Sequence, residues 1–294
     1  DDTMFEMFRE IFQTCSNSTA RVMRVVATGM GLNVISGLVN ACLSQSKQAA
    51  LKQRQLDNAL ASKRKEAKVE AEAIKKTMDQ CSKNTEACAG MIKEMFNGVF
   101  TGRFRDYDPH IRAGCMAAVS NWMLEYPFMF LTDFYLKYLG WSMNDKSSLV
   151  RLEVLKGLRR LYADGTKASI MDGFTNRFSA RIKELLFDAD PMVTCEAIFV
   201  VSQLREYETY DADTMNEVLH LLTEENESVR VTAAKVLPKM LPSLLEQYNK
   251  TRTSAYGKKK KPAAKKKAKA AKKPKRKANK KIRNEDDENS TEDE

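Results

Sequence analysis

The side chains best suited to molecular recognition form an aromatic stripe near the middle of the sequence. Phe134, Tyr138 and Trp141 follow one another at spacings of four and three residues, with Lys137 between the first two. This spacing places all three rings on one face of a helix. Such a face is by default part of a core, but tryptophan and tyrosine also dominate the binding energy of protein interfaces. Both interpretations therefore stay open from the residues alone.

Groups that usually catalyse reactions are sparse. The chain has only two histidines, His110 and His220, and neither has a second histidine or a cysteine at the spacing of metal ligands. The neighbouring carboxylates Asp106 and Asp108 come just before a predicted helix, where capping of free N–H groups accounts for them. We therefore expect no enzyme activity, no cofactor, no metal and no small-molecule substrate.

A helix-opening pattern that occurs four times predicts the elements around the stripe. In each copy an acidic residue precedes an isoleucine or valine anchor and an apolar helix of about four turns. The anchors are separated by 39, 43 and 36 residues and stand at Ile111, Val150, Val193 and Val229. Asp108-Pro109 and Asp190-Pro191 supply an N-cap before a proline at the first helical position. A period near 40 residues predicts an all-α, HEAT-like helical-repeat solenoid.

Arginines recur directly after three of these anchors. They are Arg112, Arg151 and Arg230. In stacked helical repeats, a cation that recurs at one position commonly pairs with an acid of the neighbouring repeat. We therefore expect an arginine ladder between repeats rather than a ligand site at these three positions.

The first third of the chain is predicted to form long helices. An amphipathic helix over Asp1–Gln13 is followed by one over Thr19–Leu43, which is apolar almost all round and should be buried on several sides. Residues 44–93 are charged and alanine-rich, which indicates a protruding helical hairpin with its turn in Asp79–Thr85. The hairpin either packs on itself in solvent, the commoner outcome, or binds a partner as a coiled coil.

The net charge of +10 belongs to the C-terminal tail. Gly257–Arg283 holds 16 basic residues and no acid, the last 11 residues hold seven acids, and the first 256 residues carry only +1. So few apolar residues predict disorder after Asn249 and contact with a polyanion such as double-stranded DNA. The lysines expected to make this non-specific contact are Lys258, Lys259, Lys260, Lys261, Lys265, Lys266 and Lys267.

Two further features bear on location. The six cysteines are scattered without close pairs, which is typical of reduced intracellular thiols. No apolar run approaches the roughly 20 residues of a membrane helix, so no membrane association is expected. The chain begins with Asp1 rather than methionine, as a fragment of a longer protein would.

The central sequence resembles the stromalin conservative domain of the stromal-antigen subunits of cohesin. The resemblance is carried above all by Tyr135-Leu136-Lys137-Tyr138-Leu139-Gly140-Trp141, followed by Asp145-Lys146 and Val150-Arg151-Leu152. Phe104-Arg105-Asp106, Ile111-Arg112 and Trp122-Met123 add to it, and a weaker likeness extends over most of residues 18–245. The Lys-rich tail departs from the family, in which further repeats would follow.

The resemblance implies a nuclear, chromosome-associated scaffold that acts in sister chromatid cohesion and chromosome segregation. It would bind the kleisin subunit, DNA and regulators such as shugoshin-like proteins, whose aromatic-x-aromatic motifs dock on the conservative domain. Matching residues carry this docking site onto Phe104, Arg105, Asp133, Lys137, Tyr138, Trp141 and Arg177. Phe104 stands where the family usually has tyrosine, so a hydroxyl contact there is lost. A different class remains as the alternative, a helical-repeat nucleic-acid-binding module that acts mainly through its Lys-rich tail.

The predicted organisation has four parts. Residues 1–43 form N-terminal helices of the solenoid, 44–96 the charged hairpin, 97–250 the HEAT-like repeats and 251–294 the tail. The stromalin conservative domain would occupy about residues 101–187.

Overall fold

A computed structural model describes residues 2–61, 66–204, 212–239 and 245. Within these ranges every regular element is a helix and none is a strand, which confirms the all-α solenoid. The predicted tail after Asn249, with the seven lysines expected to contact DNA, lies outside the described residues.

The first two helices depart from the predicted pattern in length and burial. Helix α1 spans Asp2–Ser16 and α2 spans Arg21–Ala61, so α2 continues through residue 43 without a break. Its expected burial on several sides is wrong, because Val22, Val26 and Met30 are at least half exposed. The buried side chains of α2, such as Ile35 and Val39, lie on one side, against the helices that follow.

An 18-residue window of α2 is apolar enough to cross a membrane by length and composition alone, which corrects the expectation that no such run exists. One third of that window is buried inside the protein, and core helices of soluble proteins pass the same test.

Helix α3, Glu66–Met95, returns alongside α2 and completes the predicted hairpin. The turn expected in Asp79–Thr85 is wrong, because those residues lie inside α3. Leu56 of α2 packs with Ala71 and Ile74 of α3 in a small apolar cluster of their own. This cluster favours a hairpin that packs on itself.

The remaining helices form the predicted layers. The inner helices, which stack on one another, are α2, α5 (Pro109–Glu125), α8 (Ser148–Tyr162), α11 (Pro191–Leu204) and α13 (227–239). The outer helices are α7 (Asp133–Ser142), α10 (Asp172–Glu184) and α12 (Ala212–His220). Short helices connect them: α4 (Thr101–Arg103), α6 (Pro127–Phe130) and α9 (Gly165–Ile170). The four isoleucine and valine anchors are buried, so the repeat predicted from the sequence correctly identifies residues of the core.

Helix capping sets where the inner helices start. Asp108 Oδ1 accepts the N–H of His110 at 2.9 Å, and Asp190 Oδ1 accepts that of Met192 at 2.9 Å. Each aspartate precedes a proline, whose missing N–H costs nothing at the first helical position. Both predicted Asp-Pro caps are thereby confirmed.

The arginine ladder is present and begins one layer earlier than predicted. Nε and Nη2 of Arg112 donate to Asp145 at 2.7 Å, while Nη1 donates to the carbonyls of Asp106 and Tyr107. Arg151 pairs with Asp188 in the same way, also at 2.7 Å. Each rung therefore joins the start of one inner helix to the start of the next.

Arg24 of α2 makes an additional rung. Its Nε donates to Asp106 at 3.0 Å, and its Nη1 donates to the carbonyls of Ser18 and Thr19. The hydrogen-bond pattern matches that of Arg112, so the start of α2 is the first layer of the stack. The hairpin is an extension of that layer.

The ladder is interrupted in the fourth layer. Thr194 takes the position of the arginine, and its hydroxyl donates to the carbonyl of Asp188 at 3.3 Å. In the next layer Arg230 holds the carbonyls of Glu224 and Glu225 at 2.8 and 2.7 Å. Among the described residues, Arg230 makes the carbonyl contacts of the predicted pattern, and the acid of a following repeat would lie outside them.

Candidate functional site

The candidate site lies on α7, above the most aromatic part of the core. Phe96, Phe100 and Trp122 are almost fully buried and contact one another edge-on or stacked. Tyr138 of α7 packs onto Phe96 and Phe100 with ring centroids 5.6 and 5.1 Å away. This packing fixes the rotation of α7 and decides which of its side chains face solvent.

The aromatic stripe is divided between core and surface. Tyr138 is only 5% exposed, whereas Trp141 is 45% and Phe134 is 52% exposed. Burial raises the pKa of the Tyr138 hydroxyl. Tyr138 therefore supports the site from beneath, and Trp141 with Phe134 presents the aromatic surface.

Two cations lie beside the exposed indole of Trp141. The Arg105 guanidinium carbon and Lys137 Nζ are both 5.7 Å from the ring centroid. Lys137 Nζ is also 4.0 Å from the Phe134 ring, and Arg105 is 4.9 Å from that of Phe104. Cation–π attraction at these distances holds both cations over aromatic surface. Arg105 is exposed and Lys137 is partly buried. We refer to Phe104, Arg105, Phe134, Lys137 and Trp141 as the aromatic patch.

Phe104 contacts both the buried and the half-exposed ring of α7. Its ring lies 4.9 Å from that of Tyr138 in an edge-on contact and 6.4 Å from Trp141 in a stacked one. These contacts are apolar, so Phe104 can fill its position without the hydroxyl of a tyrosine.

A cleft of about 360 Å³ opens on the Arg105 side of the patch. Phe104, Arg105 and Trp141 line it together with Tyr107 and Lys146, two residues that are absent from the predicted docking site. Tyr107 is 96% exposed. No periodic pattern marks these two residues, because both lie in short loops before inner helices.

The floor of the cleft is a ladder rung. Arg112 and Asp145 line it from below, with Asp106 beside them. Burial opposes ionisation of Asp145, but the hydrogen bonds from Arg112 and from the Ser147 N–H outweigh it and hold its pKa below the usual value. These charges are matched within the protein, so the unpaired charge at the cleft comes from its rim.

The two remaining predicted residues lie farther out. Asp133 is exposed in the first turn of α7, where a carboxylate favours the helix dipole. Arg177 is exposed on α10, 5.5 Å from the Phe178 ring. A Cβ on Gly140 would lie 2.2 Å from the Phe178 ring, so this glycine is what lets α10 approach α7. The structure gives no contact of Asp133 or Arg177 with Trp141.

Two family models match this sequence. The stromalin conservative domain matches residues 105–179, and the STAG domain matches residues 1–78. The two matches together span just over half of the chain, and the first contains α7, Trp141 and the cleft.

Curated relatives point to the same family. Sister-chromatid cohesion protein 3 of Arabidopsis thaliana is 30% identical over 257 residues, which cover 87% of this chain and 23% of the relative. Cohesin subunit SA-3 of Rattus norvegicus is 36% identical over 187 residues, covering 62% of this chain and 15% of the relative. The chain thus spans less than a quarter of the length of either.

The fold agrees with a solved structure. Cohesin subunit Scc3 from Z. rouxii superposes with a TM-score of 0.74 and 24% identity, over 85% of this chain and 29% of that one. The two domain matches, the relatives and the shared solenoid lead to one conclusion: this chain belongs to the stromalin family of cohesin subunits.

Proposed function

We propose that the protein is a non-catalytic scaffold subunit of cohesin that acts in sister chromatid cohesion and chromosome segregation, on chromosomes in the nucleus. Its partners would be the kleisin subunit, double-stranded DNA and regulator proteins. The names of its relatives, which are cohesin subunits, support the scaffold assignment. A stack of helices held by matched charges suits a scaffold, because stacked repeats expose long surfaces without a catalytic cleft.

Within this scaffold, the aromatic patch is proposed to bind regulators through aromatic-x-aromatic peptide motifs. The observation that carries the proposal is a half-exposed tryptophan with two cations beside it, of which Arg105 is exposed and Lys137 is partly buried. Tryptophan and arginine are over-represented among residues that dominate interface energy. A peptide ring would pack against Trp141 and Phe104, with Tyr138 holding both from beneath.

Charge at the rim would guide acidic peptides to the patch. Arg105, Lys137 and Lys146 surround Trp141 and the cleft, and none of them forms an ion pair among the described residues. Complementary charge raises the association rate and excludes basic competitors. Arg177 and Asp133 would contact the peptide only beyond its aromatic residues.

A calorimetric titration with a peptide that contains an aromatic-x-aromatic motif tests this proposal. Trp141→Ala is expected to weaken binding by at least about tenfold, the cost of losing one anchor of roughly 2 kcal/mol. Helical content should stay unchanged because the indole is half exposed. Phe128→Ala, at an 89% exposed aromatic outside the patch, is the matched control and should bind normally. Unchanged affinity of Trp141→Ala would refute the proposal, and loss of helicity would make Trp141 a core residue.

The alternative, nucleic-acid binding mainly through the lysine tail, is separable by truncation. Sixteen basic residues within Gly257–Arg283 favour a polyanion contact. Removing residues after Asn249 should abolish binding to duplex DNA if the tail is the main site. If the solenoid also contacts DNA, the truncation should only reduce the affinity and lower its dependence on salt.

A further inference from the structure

The loop before α5 presents the most exposed aromatic side chain among the described residues. Tyr107 is 96% exposed. Within the described ranges its ring packs on no other ring and its hydroxyl has no hydrogen-bond partner. A ring in water contributes little to the stability of the fold, because an aromatic side chain gains free energy only when its surface is covered.

The backbone of this loop, in contrast, is held in place. Nη1 of Arg112 donates to the carbonyl of Tyr107 at 3.1 Å. The Asp108 N–H donates to Oδ1 of Asp106 at 2.9 Å, and both of these flanking carboxylates are buried. The ring of Tyr107 therefore moves only by rotation of its own side chain. A tyrosine has two such torsions and loses little conformational entropy when a ligand fixes it.

Tyr107 borders the cleft beside the aromatic patch. It lines this cleft of about 360 Å³ together with Phe104 and Trp141. Trp141 is itself 45% exposed, so two rings that border one cavity both keep solvent-accessible surface. A side chain that enters between them would cover apolar surface on both. The position of Tyr107 thus extends the aromatic patch across the cleft.

The charges around the cleft determine which side chain fits there. The floor pair of Arg112 and Asp145 is matched within the protein, so it offers no charge for a ligand to neutralise. Arg105 and Lys146 also line the cleft, form no ion pair among the described residues and would repel a lysine or an arginine. A carboxylate would stay beside these two cations at the rim, because a charge is costly to bury. An apolar side chain is the one that gains from the aromatic walls.

From this arrangement we propose that Tyr107 turns over the cleft and holds an apolar side chain of the bound peptide against Trp141. The apolar residue would lie within about three residues of the aromatic-x-aromatic motif, since three extended residues span about 10 Å. This inference rests on the proposed peptide binding at the aromatic patch and adds a specificity element to it. The patch recognises the motif itself, whereas Tyr107 selects a residue beside the motif.

A series of synthetic peptides tests this inference on the full chain. Each fluorescein-labelled peptide carries the same acidic aromatic-x-aromatic motif, with leucine at one of the three positions on either side of it. A matched peptide carries serine at that position. Fluorescence polarisation measures the affinity of each peptide for the unmodified protein, for Tyr107→Ala and for Tyr107→Phe. The side chain is exposed, so circular dichroism should show the same fold in all three proteins.

One position of the series should show a preference for leucine. There, leucine should bind the unmodified protein about five- to tenfold more tightly than serine, as partial burial of a leucine side chain gives. Tyr107→Ala should remove this preference and leave binding of the serine peptide almost unchanged. Tyr107→Phe should keep the preference, because the ring and not the hydroxyl makes the contact. Phe187→Ala is the matched control, at a 60% exposed aromatic that does not line the cleft, and should change neither affinity.

The outcomes distinguish this inference from the proposed function on which it rests. If the serine peptide binds and depends on Trp141, but leucine gives no preference at any position, only the inference about Tyr107 falls. A leucine preference that survives in Tyr107→Ala would overturn it as well. If no peptide of the series binds, or if Trp141→Ala leaves every affinity unchanged, the proposed function fails and this inference fails with it.

Discussion

The ladder and the aromatic patch both contain cations, yet these cations have different neighbours. Arg112 is 7% exposed and directs all of its donors to Asp145 and two carbonyls. Arg105, seven residues earlier, is exposed and lies over the rings of Phe104 and Trp141. The charge of Arg112 is paired within the protein, whereas that of Arg105 forms no ion pair among the described residues.

This difference would allow a repeat protein to carry a binding site without weakening its core. Patch cations rest on Trp141, Phe104 and Phe134, so removing one leaves no buried carboxylate behind. Ladder cations neutralise buried carboxylates, so removing one leaves a charge that the core cannot solvate. Mutation of a ladder cation should therefore lower the stability of the fold, whereas mutation of a patch cation should leave it almost unchanged.

The largest effect is expected from Arg112→Ala. This change leaves the Asp145 carboxylate without its cation and the Asp106 carbonyl without the Arg112 donor, and it should lower the free energy of unfolding by about 3 kcal/mol. Urea denaturation followed by circular dichroism measures it. Arg105→Ala is the matched control and should change stability by less than about 0.5 kcal/mol. Equal losses in the two variants would remove the distinction between ladder and patch.

A smaller loss of stability is expected from Gly140→Ala. This variant tests the close approach of α10 to α7, beside the aromatic patch. The added Cβ would lie 2.2 Å from the Phe178 ring, so the ring must move. Overpacking of this kind typically costs about 1–3 kcal/mol. Gly114→Ala, where a Cβ meets nothing, should instead stabilise the protein by up to about 1 kcal/mol. Thermal unfolding of both variants compares them, and destabilisation of both to the same degree would contradict the close α7–α10 contact.

The ladder, unlike the aromatic patch, should make the stability of the protein depend on pH. Asp145 and Asp188 are partly desolvated, but their arginines and backbone N–H groups hold their pKa values below normal. A lowered pKa in the folded state adds stability above the unfolded value near 4, and this stability is lost as pH falls through the folded value. Unfolding free energies measured from pH 7 to 3 should fall less steeply in Asp188→Asn than in the unmodified chain. Identical slopes would contradict a stabilising rung.

The smallest effect is expected from Thr194→Arg, which would add the missing rung. An arginine there would hold the Asp188 carbonyl and reach towards Glu224, an exposed acid in the next layer. Because Glu224 is exposed, the gain should be at most about 1 kcal/mol. Thr194→Lys is the control, since lysine lacks the forked donors and should gain less. A loss of stability in Thr194→Arg would show that the layer is packed around threonine.

Local patterns predicted the repeats well. The anchors, the Asp-Pro caps and the rungs of Arg112 and Arg151 each depend on residues within one period of the sequence. Arg24 was missed because its partner Asp106 is 82 residues away, beyond the hairpin. Residues 79–85 resembled a turn because their polar side chains suit a turn and an exposed helix face equally.

The site was harder to predict. Helical spacing shows which side chains share one face of α7, but it does not show whether that face points to the core or to solvent. Tyr138 and Trp141 are one turn apart, yet one is buried on Phe100 and the other is half exposed. That outcome depends on Phe96 and Phe100, which come from a different part of the chain. The loop residues Tyr107 and Lys146 had no periodic signal at all.

The central claim is that patch cations serve a partner and ladder cations serve the fold. The most direct test measures peptide affinity and melting temperature on the same preparation of a double variant, Arg105→Ala with Lys137→Ala. The expected result is at least about a tenfold loss of affinity for an acidic aromatic-x-aromatic peptide, with an unchanged melting temperature. An unchanged affinity together with a lowered melting temperature would contradict the claim.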